Sequence, residues 1–147
     1  MKHHHHTPIA VQVAVKVPVE KAWEYFTLPK HITGWYFASD DWHAPYAAND
    51  LRPKGKFTIT MASKDGNDGF DFEGVYKVVE PHRKIEYVLA DCRKVVIFFE
   101  EAGTETLITE VFDPEDLNTL DLQRNGWQAI LDNFRKYAET KALKKRK

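Results

Sequence analysis

The sequence predicts an α+β domain: a curved antiparallel sheet wrapped around one long C-terminal helix, with two short helices after the first strand. Three observations carry this prediction. The stretch 113–140 places Trp127, Ile130, Leu131, Phe134, Tyr137 and Ala138 at the spacing that gathers side chains on one helix face. Upstream, short segments alternate apolar and polar residues and are joined by turns rich in Gly, Asn, Asp and Pro, the pattern of hairpin-linked strands. No strand-helix-strand repeat interrupts them, so the sheet is a meander without parallel crossovers.

The elements follow in chain order. Ile9, Val11, Val13 and Val15 alternate with Ala10, Gln12, Ala14 and Lys16, which predicts a half-buried first strand. Pro18 ends it and suits the first turn of a helix, along which Val19, Ala22, Trp23 and Phe26 recur to about Leu28. Pro29 stops that helix. A second short helix is expected over 30–37, weakened by Gly34 and carrying Ile32, Trp35, Tyr36 and Phe37. The polar stretch 38–56 reads as loop, with an edge strand left open near 43–48. Phe57, Ile59 and Met61 then face opposite Thr58, Thr60 and Ala62, and the turn 64–69 leads into a strand where Phe70, Phe72, Gly74, Tyr76 and Val78 share a face. Further turns at Pro81-His82, 90–93 and 102–104 separate alternating segments that end at Phe112. The meander is counted as five strands, with the sixth left open. The closing helix carries Glu115, Asp116 and Asp121 near its start and Arg135, Lys136, Lys141, Lys144 and Lys145 towards its end, which complements a helix dipole. From Leu120 to Thr140 it would run roughly 32 Å, enough to cross a small domain.

Composition sets the bounds on function. At 147 residues, 43% hydrophobic and 29% charged, the chain is expected to form one domain over 9–141 with a basic tail at 142–147. A net charge of −1 supplies no field for nucleic acid, which is not an expected partner. The single cysteine, Cys92, cannot form an internal disulfide, and no leading segment has the apolar run of a signal peptide, so a cytoplasmic setting is expected. No apolar stretch approaches the roughly 20 residues of a membrane span. His3–His6, within a leader of residues 1–8, read as an affinity tag.

Several local motifs are more particular. They are Val17-Pro18-Val19-Glu20-Lys21-Ala22-Trp23 opening the first helix, Trp35 in the second, and Leu51-Arg52-Pro53-Lys54-Gly55-Lys56-Phe57 leading into a strand. They continue with Phe72-Glu73-Gly74-Val75-Tyr76, Glu80-Pro81-His82-Arg83-Lys84-Ile85 and Asn125-Gly126-Trp127-Gln128-Ala129-Ile130-Leu131. In this order they resemble the helix-grip fold of the START-like (SRPBCC, Bet v 1-like) superfamily, and within it the activator-of-heat-shock-protein-90-ATPase homologue-like proteins. The resemblance spans about residues 9–141. It departs at Cys92, where such a turn favours Gly, and at Phe134, where the helix stripe often carries Leu.

What the resemblance implies is a deep apolar cavity between the long helix and the sheet, used by many members for hydrophobic small molecules. A few members are cyclases or dehydratases, and the eukaryotic namesake domain stimulates a chaperone ATPase. Three readings therefore stand: a ligand-binding module, a co-chaperone-like or stress-response interaction protein with a chaperone partner, and a cyclase-type enzyme. A homodimer is left open, and no cofactor is implied.

The expected ligand-binding residues are Trp35, Phe57, Ile59, Met61, Phe72, Tyr76 and Tyr87, facing Trp127, Ile130, Leu131 and Phe134. Phe70 and either Phe98 or Phe99 belong to the same concave face. Such rings suit a flat apolar ligand, and the same rings packed together would instead fill the core. Gly126 tips towards a site, because glycine inside a helix costs about 1 kcal/mol against alanine and is kept where something approaches the backbone closely, a ligand or only the second helix through Trp35. Tyr76 and Tyr87 could donate hydrogen bonds to a ligand. Asp71, Glu73, Lys77 and Glu86 fall on the outer face; Glu110 alone shares inward parity with Ile108 and Phe112. No catalytic residue is assigned on this pattern. Asp40-Asp41-Trp42-His43 has ligand-type residues without a partner cluster, and Asp65-Gly66-Asn67-Asp68-Gly69 reads as a hairpin turn, so no metal site is expected.

Overall fold

The computed structural model describes residues 7–145, and the His3–His6 reading lies outside them. Its elements are β1 (Ile9–Val15), α1 (Val19–Thr27), α2 (Pro29–Ile32), β2 (Trp42–Asn49), β3 (Lys56–Ser63), β4 (Gly69–Glu80), β5 (Lys84–Leu89), β6 (Lys94–Ala102), β7 (Glu105–Phe112) and α3 (Leu120–Lys145). The strands form one antiparallel sheet in the order β1-β7-β6-β5-β4-β3-β2. The helix pair α1 and α2 therefore carries the chain from one edge of the sheet to the other, and α3 returns along the concave face. This is the helix-grip architecture that the periodicities predict.

Seven strands correct the count of five with a sixth open. Each of the five segments after residue 56 is a separate strand, and 42–49 adds an edge. The second helix is also shorter than 30–37. It ends at Ile32, and the chain continues through turns in which the Gly34, Trp35 and Tyr36 amides bond back to His31 and Ile32 carbonyls. Trp35 thus leaves the helix, and its indole N–H donates to the Tyr25 carbonyl at 3.0 Å. A third correction concerns β4. Tyr76 pairs with Tyr87 and Val78 with Glu86, so Lys77 is an extra residue on this strand. Such a bulge reverses parity beyond it. Val79, opposite Ile85, turns inward in place of Val78.

The core is strongly aromatic. Phe134 is fully buried, with ring centroids 5.0 Å from Phe26 and 4.8 Å from Trp35, and Phe26 meets Phe99 at 5.3 Å. Burying each such ring contributes about 2–3 kcal/mol, plus a smaller edge-to-face term. Phe98, by contrast, stands on the outer surface under the Lys84 ammonium. The long helix also seals an exposed edge. Gln128 accepts from the Gln12 amide and donates to its carbonyl at 3.0 Å, and Glu139 accepts from the Lys16 amide at 2.9 Å. Unpaired polar groups at a sheet edge invite association with other chains, so these side chains cap part of β1. Among the described residues no helix is long and apolar enough to cross a membrane.

Candidate functional site

Where α3 passes over the far half of the sheet, helix and strands leave a gap, across which Trp127 meets Phe72 edge to face with centroids 6.1 Å apart. The gap is a cleft of about 400 Å³ between β3, β4, the segment after α2 and the first turns of α3. Met61, Phe70 and Phe72 line its floor, Gly126, Trp127 and Ile130 its roof, and Tyr36, Phe37 and Trp42 one wall. Phe70 stands half-exposed at 52%. Trp127 is held flat against Phe112, centroids 3.9 Å apart and planes within 9°, which fixes the orientation of the indole that roofs the cleft.

One end of the cleft is polar, with Arg93, Glu115 and Gln123. The Arg93 Nε donates to Asp91 Oδ2 at 2.7 Å. Gln123 ties the loop ahead of α3 to the helix: its amide donates to the Glu115 and Asn118 carbonyls at 3.0 Å and accepts from the Glu115 amide at 2.8 Å. Burial works against charge on Glu115, but N–H groups of Asn118 and Leu117 outweigh it and hold the carboxyl below its usual range. This end is therefore a rigid, hydrogen-bonded rim. The arrangement suits a small apolar body with a polar group at one end.

Deeper in the sheet lies a second space of about 30 Å³, lined by Phe26, Thr27, Ile32, Tyr36, Phe57, Ile59, Tyr76, Ile85, Tyr87, Ile97 and Glu110. It has room for one or two water-sized groups. Glu110 is 4% exposed, and burial pushes its carboxyl up to about 8. The Tyr76 hydroxyl donates to Asn49 Oδ1 at 2.6 Å, and the Asn49 amide donates to the Thr27 carbonyl at 2.6 Å. Tyr36 borders both spaces, its ring 5.8 Å from Phe72.

The expected binding residues divide three ways. Met61, Phe72, Trp127 and Ile130 line the cleft. Phe57, Ile59, Tyr76 and Tyr87 line the inner space. Trp35, Leu131 and Phe134 are packed in the core, all at 1% exposure or less. The polar rim and Tyr36 are absent from the sequence-based set; Tyr36 was legible only as an aromatic beyond Gly34. Of the two bodies expected at Gly126, the second helix makes no close approach there. A Cβ there meets no atom within 4 Å, whereas the close approach in this region is at Gly34, against the Tyr137 ring. Among the described residues no three His, Cys, Asp or Glu side chains gather at metal-binding distance. Asp65 accepts from Ser63 and from the Asn67 amide, as a hairpin turn requires.

The comparisons with known proteins agree with this geometry. Residues 16–139 match the family model described as activator of Hsp90 ATPase homolog 1-like protein. The solution structure of the AHSA1-like protein from Aeromonas hydrophila is 36% identical, with 92% of this chain and 95% of that one covered, at a TM-score of 0.84. A protein from Cytophaga hutchinsonii is 49% identical, covering 92% and 94% at a TM-score of 0.78. A protein from Chromobacterium violaceum shares the fold at a TM-score of 0.82 with 17% identity, over 91% of this chain and 99% of that one. Among curated proteins nothing matches at a significant level.

Proposed function

The chain belongs to the family of activator of Hsp90 ATPase homolog 1-like proteins, within the SRPBCC superfamily, and from this premise we propose that it binds a small hydrophobic ligand in the cleft beneath α3. The observation that carries the reading is the bare helix backbone at Gly126 over an apolar floor of Met61, Phe70 and Phe72. A glycine at a helix position with nothing beside it sacrifices about 1 kcal/mol of helix stability for open space. The volume falls in the lower part of the range of small-molecule sites, so the ligand is compact. Trp127 offers it an indole whose orientation is already fixed, which reduces the entropy lost on binding. We read residues 9–141 as the binding domain and the cytoplasm as its setting; the lone exposed Cys92 is compatible with a reducing compartment.

A second reading, interaction through the surface with a chaperone or other protein, is supported by Leu117 at 94% exposure with Leu120 and Leu122 close by in the chain. Native mass spectrometry separates the two. Wild-type protein is expected to carry a defined small-molecule adduct, and Gly126→Leu, which places a side chain in the cleft while improving helix propensity, is expected to lose it without losing the fold. A clean wild-type mass, together with 1-anilinonaphthalene-8-sulfonate binding that Gly126→Leu leaves unchanged, would replace the cleft reading by the surface one.

A further inference from the structure

We propose that Glu110 and the rings around it form an inner subsite for the ammonium head of an amine whose apolar body occupies the cleft, an inference that rests on the cleft being a ligand site. The argument begins with an unmet demand. Buried carboxyls in folded proteins are met by donors or cations. Glu110 projects from β7 into the inner space at 4% exposure, and among the described residues no hydrogen-bond donor meets its carboxyl and no basic side chain acts on it.

The surroundings favour a cation over a neutral group. Rings of Phe26, Tyr36, Phe57, Tyr76 and Tyr87 line the same space, and aromatic faces attract ammonium. The hydroxyl protons are largely committed. Tyr76 donates to Asn49 and Tyr87 to Tyr36, which leaves the Tyr36 proton uncommitted. What remains is one hydroxyl proton, that of Tyr36, among acceptor oxygens and π surface around one acid, which leaves room for a head with several N–H donors. At about 30 Å³ the space admits a head of one heavy atom, a primary ammonium, and is too small for a quaternary one. Tyr36 borders both spaces, its ring 5.8 Å from Phe72 and 5.0 Å from Trp35, so an amine that spans them has to pass this ring.

The pH dependence follows from the groups that face Glu110. Tyr36, Tyr76 and Tyr87 titrate only at high pH because burial raises them all, and Thr27 and Ile32 of the helical segment, like Ile59 and Ile97 of the sheet, carry no charge. Glu110 must shed its proton to receive an ammonium, so amine affinity should rise about tenfold per pH unit from 6 and level near 8. The test uses 3-phenylpropylamine and 3-phenylpropan-1-ol as matched probes, titrated by calorimetry from pH 6 to 9. The amine is expected to bind at least tenfold more tightly than the alcohol at pH 8, with the stated slope, and Glu110→Gln is expected to abolish both preference and slope. Should that variant not fold, the wild-type slope and preference decide alone. Equal binding of the two probes, or an amine preference that survives Glu110→Gln, overturns the subsite, and if Gly126→Leu abolishes that binding the cleft reading stands. No binding of the amine also overturns the subsite, while the co-purified mass judges the cleft separately.

Discussion

Replacing Glu110 by glutamine should raise stability above neutral pH and leave it unchanged near pH 5. The carboxyl is 4% exposed and burial lifts it from an ordinary 4.5 to about 8. In the unfolded chain it ionises near 4.5, so between these values the native state holds a proton that the unfolded state has lost. Stability then falls as pH rises, because the slope follows protons bound by the unfolded state minus those bound by the native state. At about 1.4 kcal/mol per pH unit the interval amounts to roughly 5 kcal/mol by pH 8, and above it the penalty is constant. Water entering the inner space would solvate the carboxylate and reduce the figure, so about 2 kcal/mol at pH 9 is the working threshold. Glutamine keeps the shape and carries no charge. The assay is urea unfolding of both proteins at intervals from pH 5 to 9, taking the difference so that all other titrating groups cancel. Profiles that run parallel across this range would show that Glu110 is solvated in the native state, and the burial argument would fail.

Two further outcomes test local geometry. Cys92 is exposed and sits in the turn between β5 and β6 at φ 73°, a conformation that costs a side-chain-bearing residue about 1–2 kcal/mol. Cys92→Gly should therefore raise the melting temperature by a few degrees, less the entropy that glycine adds to the unfolded chain; a fall would refute strain there. The Tyr137 hydroxyl lies 2.6 Å from Nδ1 of buried His31, whose proton affinity burial lowers. Tyr137→Phe leaves that nitrogen without its partner and should cost about 1–3 kcal/mol in chemical denaturation, and an unchanged midpoint would show that water takes the vacated place.

The parts of this fold legible in the sequence are those fixed by period. Ile9 to Val15 alternate without interruption and are buried in strict alternation. The stripe from Trp127 to Ala138 names the inner face of α3 for the same reason, and Glu110 was found by parity alone, between Ile108 and Phe112. Legibility fails where one residue alters the phase. The extra residue at Lys77 exchanges Val78 for Val79, and nothing in Tyr76-Lys77-Val78-Val79 announces it. It fails again where a site is assembled from segments distant in sequence. Arg93 follows β5 and Glu115 precedes α3, and only the sheet order brings them to one rim. Gly126 and Gly34 mark the limit most sharply. Both are glycines beside helices or within them, and both invite the inference of close approach. At Gly34 an aromatic ring occupies the space a Cβ would take; at Gly126 that space is empty and belongs to the cleft. A missing side chain makes room equally for a neighbour or for a ligand, so the residue type cannot distinguish them. Only the position of Tyr137, set by three further turns of α3, assigns one glycine to packing and leaves the other open to the cleft.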